Sequence, residues 1–328
     1  MLRELNIRHR SLPLHSPFRI ARGVRHVADV VSVELRQADC TGRGESVPYG
    51  RYNESVASVL DEMEALRKDL CAGMGRDELQ ARLSPGAARN ALDLALWDLD
   101  ARLCHVPVWT QLAKPPHAPL TTALTVSLDT PQAMEKATSR IADAGLIKVK
   151  VDADGPAERI EAVRRAAPDA RLIVDPNESW TIEILRDLLP ALERAGVALI
   201  EQPLPAKADA DLQGLASRIP ICADESCHTT ADLPRLLYRY QVINIKLDKT
   251  GGLTEAWRLL RAAREAGFRI MVGCMVGSSL GIAPALEIAR EAEFIDLDGP
   301  LWLENDYVDG VKLANGLLSP PAPGFWGG

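Results

Sequence analysis

From residue 120 onward, short apolar runs alternate with longer amphipathic stretches. The runs lie near 120–127, 146–151, 171–175, 197–201, 219–224, 241–247, 269–273 and 293–298. Helical patterns fill the gaps between them, as from Pro156 to Ala167, where Ile160 and Val163 fall on one side. Strands alternating with helices at this period predict βα units and a parallel sheet. Eight strands close into a (β/α)8-type barrel more naturally than they form an open sheet. After the eighth run comes Gly299-Pro300-Leu301-Trp302 and then turn-rich sequence, with no eighth amphipathic helix evident.

The first third reads differently. Residues 1–50 alternate as strands and turns, with the β-rich run Val30-Val31-Ser32-Val33-Glu34-Leu35 before the turn Thr41-Gly42-Arg43-Gly44. Helices are expected from about residue 54. The clearest is predicted to start at Ser84-Pro85, a capping residue followed by proline at the first helical position. Its apolar residues Ala88, Ala91, Leu92, Ala95, Leu96, Leu99 and Leu103 predict one packed face. Trp97 and Asp98 on this helix are expected to be structural. The breaker Lys114-Pro115-Pro116-His117-Ala118-Pro119 marks a domain boundary. The expected organisation is an N-terminal domain over 1–116, a barrel over 117–303 and a tail over 304–328. The proline-rich tail is expected to cross back to the N-terminal domain.

Composition narrows the partners. The chain has 328 residues, 47% hydrophobic and 25% charged, which is ordinary for a soluble protein. A formal net charge of −7 argues against non-specific nucleic-acid binding. No apolar run reaches the roughly 18 residues of a membrane span, and the N-terminus lacks the apolar core of a signal peptide. Six scattered cysteines without a CxxC pair predict reduced thiols in a cytoplasmic protein. Cys222 and Cys227 are expected to be structural. The Gly42-Arg43-Gly44 turn has no Walker pattern near it and does not read as a phosphate loop.

Chemistry is concentrated where the apolar runs stop. Leu172-Ile173-Val174-Asp175, Ala198-Leu199-Ile200-Glu201 and Ile221-Cys222-Ala223-Asp224 each end on a carboxylate, and Ile243-Asn244-Ile245-Lys246 ends on a lysine. The carboxyl ends of parallel strands are where such folds place their chemistry. Hard carboxylate oxygens suit Mg²⁺, with Mn²⁺ as a substitute. Lys148 and Lys150 lie two apart on strand two and so share a face. Strands two and six oppose each other in a ring of eight, with the carboxylates on the arc between. A metal on a substrate carboxylate stabilises the ene-diolate formed when an α-proton leaves. A lysine on each face then permits inversion at carbon. Neighbouring cations such as the metal and Lys148 are expected to lower the pKa of a lysine base. Asp296 and Asp298, two apart on strand eight, read as a clamp for a substrate ammonium, and a basic loop carries Arg19, Arg22 and Arg25. An arginine there can reach over the mouth to a second carboxylate.

These residues resemble a known family. Lys148-Val149-Lys150, Asp175-Pro176-Asn177, Glu201-Gln202-Pro203, Ala223-Asp224-Glu225-Ser226 and Asn244-Ile245-Lys246 with Gly251-Gly252 are similar to the muconate lactonising branch of the enolase superfamily. Asp296-Leu297-Asp298-Gly299-Pro300 and Ile20-Ala21-Arg22-Gly23 resemble the dipeptide epimerases that act on L-Ala-Glu from murein peptides. The resemblance implies an α/β protein: a modified (β/α)7β TIM barrel under an α+β capping domain. It implies Mg²⁺ on Asp175, Glu201 and Asp224, with Lys150 and Lys246 as acid/base catalysts and Lys148 as a supporting cation. Asp296 and Asp298 would hold a dipeptide ammonium, Arg22 a glutamate side chain, and Thr125 would contact substrate. A homo-oligomer is compatible with it. The alternatives are another branch member, such as an N-acylamino acid racemase or o-succinylbenzoate synthase, a divalent-metal aldolase barrel, or a non-catalytic acid-binding barrel.

Overall fold

The structure is a computed structural model and describes residues 2–328. Strands β1 (Glu4–Ile20), β2 (Gly23–Gln37) and β3 (Cys40–Ser46) form an antiparallel meander. Val31, Val33 and Leu35 alternate along β2 and, with Leu5, bury against the helical layer. That period is the one a sheet with a single covered face demands. The layer comprises α1 (Val56–Ala65), α2 (Arg67–Ala72), α3 (Arg76–Arg82) and α4 (Ala87–Cys104).

Helix α4 departs from expectation in two ways. It starts at Ala87, not Pro85, with Gly86 as N-cap and no side-chain cap of its own. Glu54 accepts a hydrogen bond from Ala87 N at 2.7 Å instead, so a residue remote in sequence replaces the local cap. Nor does one face alone pack: every residue from Ala87 to Leu99 is buried, because α4 is wedged between β3 and the barrel. Gly42 and Gly44 permit the close approach. A Cβ at either would stand 2.1 Å from the carbonyl oxygen of Ala95 or Ala91.

After α5 (Val108–Gln111) and β4 (Leu120–Thr121), the barrel runs β5 (Leu124–Val126), α6 (Pro131–Thr138), β6 (Leu146–Lys150), α7 (Pro156–Ala166), β7 (Arg171–Asp175), α8 (Ile182–Arg194) and β8 (Val197–Glu201). It continues through β9 (Ile221–Ala223), α9 (Leu233–Leu236), β10 (Val242–Ile245), α10 (Leu247–Thr250), α11 (Leu253–Glu265), β11 (Arg269–Gly273), α12 (Ser279–Ile282), α13 (Leu286–Ala289) and β12 (Phe294–Asp296). The eight strands β5 to β12 are parallel neighbours in chain order. Ala123 N donates to Ile295 O at 2.7 Å and Leu297 N to Thr122 Oγ1 at 2.8 Å, which joins the two ends of the sheet.

The gap between β8 and β9 carries only one 3-10 turn, Asp209–Leu212, where a helix was expected. Pro203 and Pro205 at its start deny a helix its backbone donors. The expected first strand is also split. Leu120–Thr121 pairs not with the barrel but with the hairpin of β13 (Lys312–Ala314) and β14 (Leu317–Ser319). Beyond that hairpin, Trp326 Nε1 donates to Arg43 O at 2.9 Å and Gly327 N to Asp98 Oδ1 at 2.8 Å.

Inside the barrel, Ala123, Leu146, Ile173, Leu199, Cys222, Val242, Met271 and Phe294 form one apolar cluster. Each strand from β6 to β12 contributes one member and Ala123, just before β5, the eighth, which seals the lower barrel as a packed layer.

Candidate active site

The apolar layer sets the orientation of the chemistry. Two residues past its members lie Thr125, Lys148, Asp175, Glu201, Asp224 and Asp296, and four residues past lie Lys150, Lys246 and Asp298. A pleated strand repeats its facing every second residue, so the same inner face that is apolar below becomes charged above. All of these except Thr125 are buried. Lysines on β6 and just past β10 stand across the ring from each other, with the ends of β7, β8 and β9 between.

Lys148 is the hub. Its Nζ lies 2.7 Å from Glu201 Oε2, 2.7 Å from Asp296 Oδ2 and 3.1 Å from Asp175 Oδ2. Lys150 Nζ donates to Asp175 Oδ2 at 2.6 Å, and Lys246 Nζ to Asp224 Oδ2 at 2.6 Å. A fourth buried lysine, Lys249, places its Nζ 2.7 Å from Asp224 Oδ1 and donates to Asn244 O at 2.8 Å. Backbone and amide donors fix the carboxylates further. Asn177 N donates to Asp175 Oδ1 at 2.9 Å, and Asn244 Nδ2 to Glu201 Oε1 at 2.9 Å.

These pairings decide which groups stay charged. Burial opposes ionisation of Asp175, but Lys150 and Lys148 outweigh it and hold the carboxyl below its usual range. Asp224 is likewise held low against burial by Lys246, Lys249 and Lys148. Glu201 shares only Lys148 at close range, and burial with Asp175 nearby pushes it up to about 7. Burial and Lys148 do push Lys246 down, but the facing Asp224 carboxylate dominates and raises it.

Among the described residues, no three His, Cys, Asp or Glu side chains converge as a ligand group. The carboxylates face amines, with the Lys148 ammonium shared by Asp175 and Glu201. Glu201 Oε2 and Asp224 Oδ1 nevertheless accept no hydrogen bond, although each has an ammonium within ion-pair distance.

Above this layer lies a cavity of about 320 Å³. Lys148, Lys150, Asp224, Lys246, Asp296 and Asp298 line its floor, while Asp175 and Glu201 sit fully buried beneath it. The expected Asp296/Asp298 pair is divided between two protein partners. Asp296 faces Lys148, leaving its Oδ1 buried without a hydrogen bond, and Asp298 Oδ2 accepts from Thr125 N at 2.8 Å. Burial and the neighbouring Asp296 push Asp298 up to about 6. Arg22, in the turn between β1 and β2, reaches over the mouth. It donates to Asn177 O at 2.9 Å and pairs with Glu225 Oε1 at 2.7 Å and Glu178 Oε2 at 3.2 Å. Arg19 instead pairs outward with Asp129 at 2.8 Å.

Sequence reasoning missed Tyr49, Tyr52, Glu178, Glu225 and Lys249, which line or brace this cavity. Tyr49 and Tyr52 lie in an aperiodic turn of the N-terminal domain, and only the docking of that domain brings them here. A backbone signal does mark the site. Asn177, Glu178 and Gln202, just after Asp175 and Glu201, have φ of 47°, 68° and 34°. Such values are rare for residues with a Cβ and gather where a fold holds a functional site.

Residues 2–112 match the family described as "Mandelate racemase / muconate lactonizing enzyme, N-terminal domain", and residues 132–325 match "Enolase C-terminal domain-like". The chain belongs to the enolase superfamily. Within this superfamily it is 46% identical to the L-Ala-D/L-Glu epimerase of Escherichia coli K12, over 97% of this chain and 99% of that protein. It is also 46% identical to an N-acetyl-D-glutamate racemase from Pseudoalteromonas sp, over 91% of this chain and 95% of that protein. Among solved structures, an Agrobacterium tumefaciens enolase family member with homology to dipeptide epimerases, bound to sodium and L-Ala-L-Glu, superposes with a TM-score of 0.97. It is 46% identical and is covered over 99% of this chain and 100% of that one. A Methylococcus capsulatus dipeptide epimerase complexed with Mg and L-Arg-D-Lys superposes with a TM-score of 0.89, at 32% identity over 98% of this chain and 97% of that one.

Proposed function

We propose that this superfamily member is an isomerase that epimerises L-Ala-L-Glu and L-Ala-D-Glu by moving the α-proton of the second residue, with Mg²⁺ as cofactor. The carrying observation is the opposition of Lys150 and Lys246 across a ring whose intervening strands end in three carboxylates.

The donor set fits the ion. Asp175, Glu201 and Asp224 offer hard oxygens on three adjacent strands, and two of those oxygens lack a hydrogen bond. These residues would hold Mg²⁺, with Mn²⁺ as a substitute. When bound, the cation supplies positive charge to the oxygens of the substrate α-carboxylate and lowers the cost of removing the adjacent proton.

The chain's own residues do the rest. Lys150 and Lys246 approach the α-carbon from opposite sides, so the Nζ of one takes the proton and that of the other returns one to the opposite face. Either amine must first be free of its carboxylate, Asp175 or Asp224. Lys148 adds positive charge between them. Asp296 and Asp298 offer negative charge to a dipeptide ammonium beside Thr125, and Arg22 offers a guanidinium to an acidic side chain. Six free cysteines suit a reducing cytoplasm, and an L-Ala-Glu substrate suits a role in murein peptide metabolism. N-acetylglutamate is the second reading, favoured by the protein donors that Asp296 and Asp298 already hold.

Exchange of the α-proton in D₂O tests both readings. With Mg²⁺, L-Ala-L-Glu should exchange and epimerise far faster than N-acetyl-L-glutamate, and the reverse order would favour the second reading. Lys150→Ala and Lys246→Ala should each stop epimerisation while retaining exchange for one isomer, a different one in each variant. Interconversion by either single variant would sink the two-lysine assignment.

A further inference from the structure

We propose that Gln202 is a positioning residue for the ion: it sets the spacing of Asp224 from Glu201, and a buried polar chain through Tyr240 to Asp209 fixes it in turn. This role rests on the Mg²⁺ assignment to Asp175, Glu201 and Asp224.

Gln202 follows Glu201 directly and is wholly buried. Its backbone joins the ends of all three carboxylate-bearing strands. Gln202 N donates to Cys222 O at 2.8 Å, two residues before Asp224, and Gln202 O accepts from Glu178 N at 2.9 Å, three residues after Asp175. Its side chain reaches further along β9. Oε1 accepts from Asp224 N at 2.8 Å and from Ser226 N at 3.0 Å. Strand β9 has ended at Ala223, so these two N–H groups lie beyond the ladder, and the Gln202 oxygen satisfies both. The left-handed backbone of Gln202, with φ of 34°, is held against its strain by these bonds.

The other end of the amide is anchored outward. Nε2 donates to Leu204 O at 2.9 Å, Ser226 Oγ at 2.9 Å and Tyr240 Oη at 3.0 Å. The Tyr240 hydroxyl in turn donates to Asp209 Oδ2 at 3.3 Å. Its one proton is thereby spent, so Ser226 Oγ, 3.1 Å away, is the donor between the two hydroxyls. Asp209 is gripped by Arg235 at 3.1 Å and Arg239 at 2.7 Å. Asp209, Ser226 and Tyr240 are all buried. The chain therefore has one polarity from the arginines inward, and each bond strengthens the next. An amide turned end for end would set its NH₂ against two backbone N–H groups.

A neutral brace suits this place. The Asp224 carboxylate faces Lys246 and Lys249, and Lys246 must leave it to act as a base. Those contacts change during function. The Gln202 bonds go to backbone, add no charge beside the ion, and persist while the carboxylate changes partners.

Mg²⁺ affinity of the full chain, read by calorimetry without substrate, is the test. Tyr240→Phe should weaken Mg²⁺ binding about tenfold. It should lower kcat for exchange of L-Ala-L-Glu in D₂O while KM moves less than about threefold. Gln202→Met keeps the side-chain length but removes both polar groups, and should weaken Mg²⁺ binding about 100-fold. Trp97→Phe, in α4, also deletes one hydrogen bond and should leave Mg²⁺ affinity unchanged. Tyr240→Phe that unfolds at lower urea yet binds Mg²⁺ as the wild type does would reduce the chain to a structural role and overturn the proposal, even where Gln202→Met fails to fold. Equal weakening in Trp97→Phe would overturn it too. A wild type that binds neither Mg²⁺ nor Mn²⁺ would overturn it together with the ion assignment. A wild type that binds the ion but exchanges neither dipeptide would overturn the epimerase reading alone, and the affinities would still judge Gln202.

Discussion

Two regions of this protein bury carboxylates and stabilise them by opposite means. At the barrel mouth, Asp175 and Asp224 face ammonium groups at 2.6 Å. At the seam between the N-terminal domain and the barrel, the carboxylates face backbone N–H groups and neutral side chains. Asp248 accepts from Val47 N at 2.9 Å and Asn90 Nδ2 at 2.8 Å, Glu45 accepts from Ser278 N at 2.9 Å, and Asp93 accepts from Thr254 N at 3.0 Å. The consequence for charge is opposite. The mouth pair is held below the usual carboxylate range, whereas burial pushes Asp248 and Glu45 up to about 7 and Asp93 up to about 6. A seam needs acceptors for directed hydrogen bonds, and charge there is a burden. A site that exchanges one cation for another needs the charge itself.

The harshest way to break this contrast is to remove a mouth charge. Asp224→Asn should lower epimerisation on the order of 1000-fold. It should also cost about 3 kcal/mol of stability, because Lys246 and Lys249 are left buried without their carboxylate. Exchange in D₂O and urea unfolding measure the two losses. Wild-type stability in this variant would mean that the mouth pairs contribute nothing to the fold.

Phe294→Ala probes the apolar layer beneath the mouth. A cavity at this fully buried ring should cost about 3–4 kcal/mol in urea unfolding. A smaller loss would mean that the layer collapses around the gap and supports the charged face only loosely.

The seam is tested by pH. Asp248 sits at about 7 when folded, against an ordinary 3.8. A raised carboxyl contributes stability that is complete below about pH 4 and lost as pH climbs through 7. Asn in its place keeps the acceptor for Val47 N and does not titrate. The wild type should therefore gain about 2 kcal/mol on Asp248→Asn between pH 8 and pH 5. Asp175 and Asp224 have the reverse sign: their contribution is present above about pH 4 and lost as pH falls through their depressed values. Unfolding curves whose difference is flat with pH would remove the distinction between the regions. The smallest effect is expected from Trp97→Phe, which deletes the 2.9 Å bond from Nε1 to Thr254 Oγ1 and should cost about 1 kcal/mol in urea unfolding.

Much of the barrel and its charged face could be read from the chain itself. A parallel strand buried on both faces is a short apolar run, and its facing repeats every two residues. Lys148, Lys150, Asp175, Glu201, Asp224 and Lys246 therefore had to share one side once their runs were strands. The start of α4 was not legible, because its cap is Glu54, a residue remote in sequence. The missing helix between β8 and β9 was masked by apolar residues, Leu204, Leu212 and Ile219, that anchor a loop to the core without helical periodicity. Which carboxylates carry charge was decided only by tertiary structure. Asp175 is fully buried and Asp248 half-buried, and they shift in opposite directions because one meets ammonium groups and the other meets amide donors. That Arg22 is committed to Glu178 and Glu225 over the mouth was likewise set by docking. Glu178 and Glu225 come from loops after β7 and β9, and no local pattern in the hairpin announces that they will meet it.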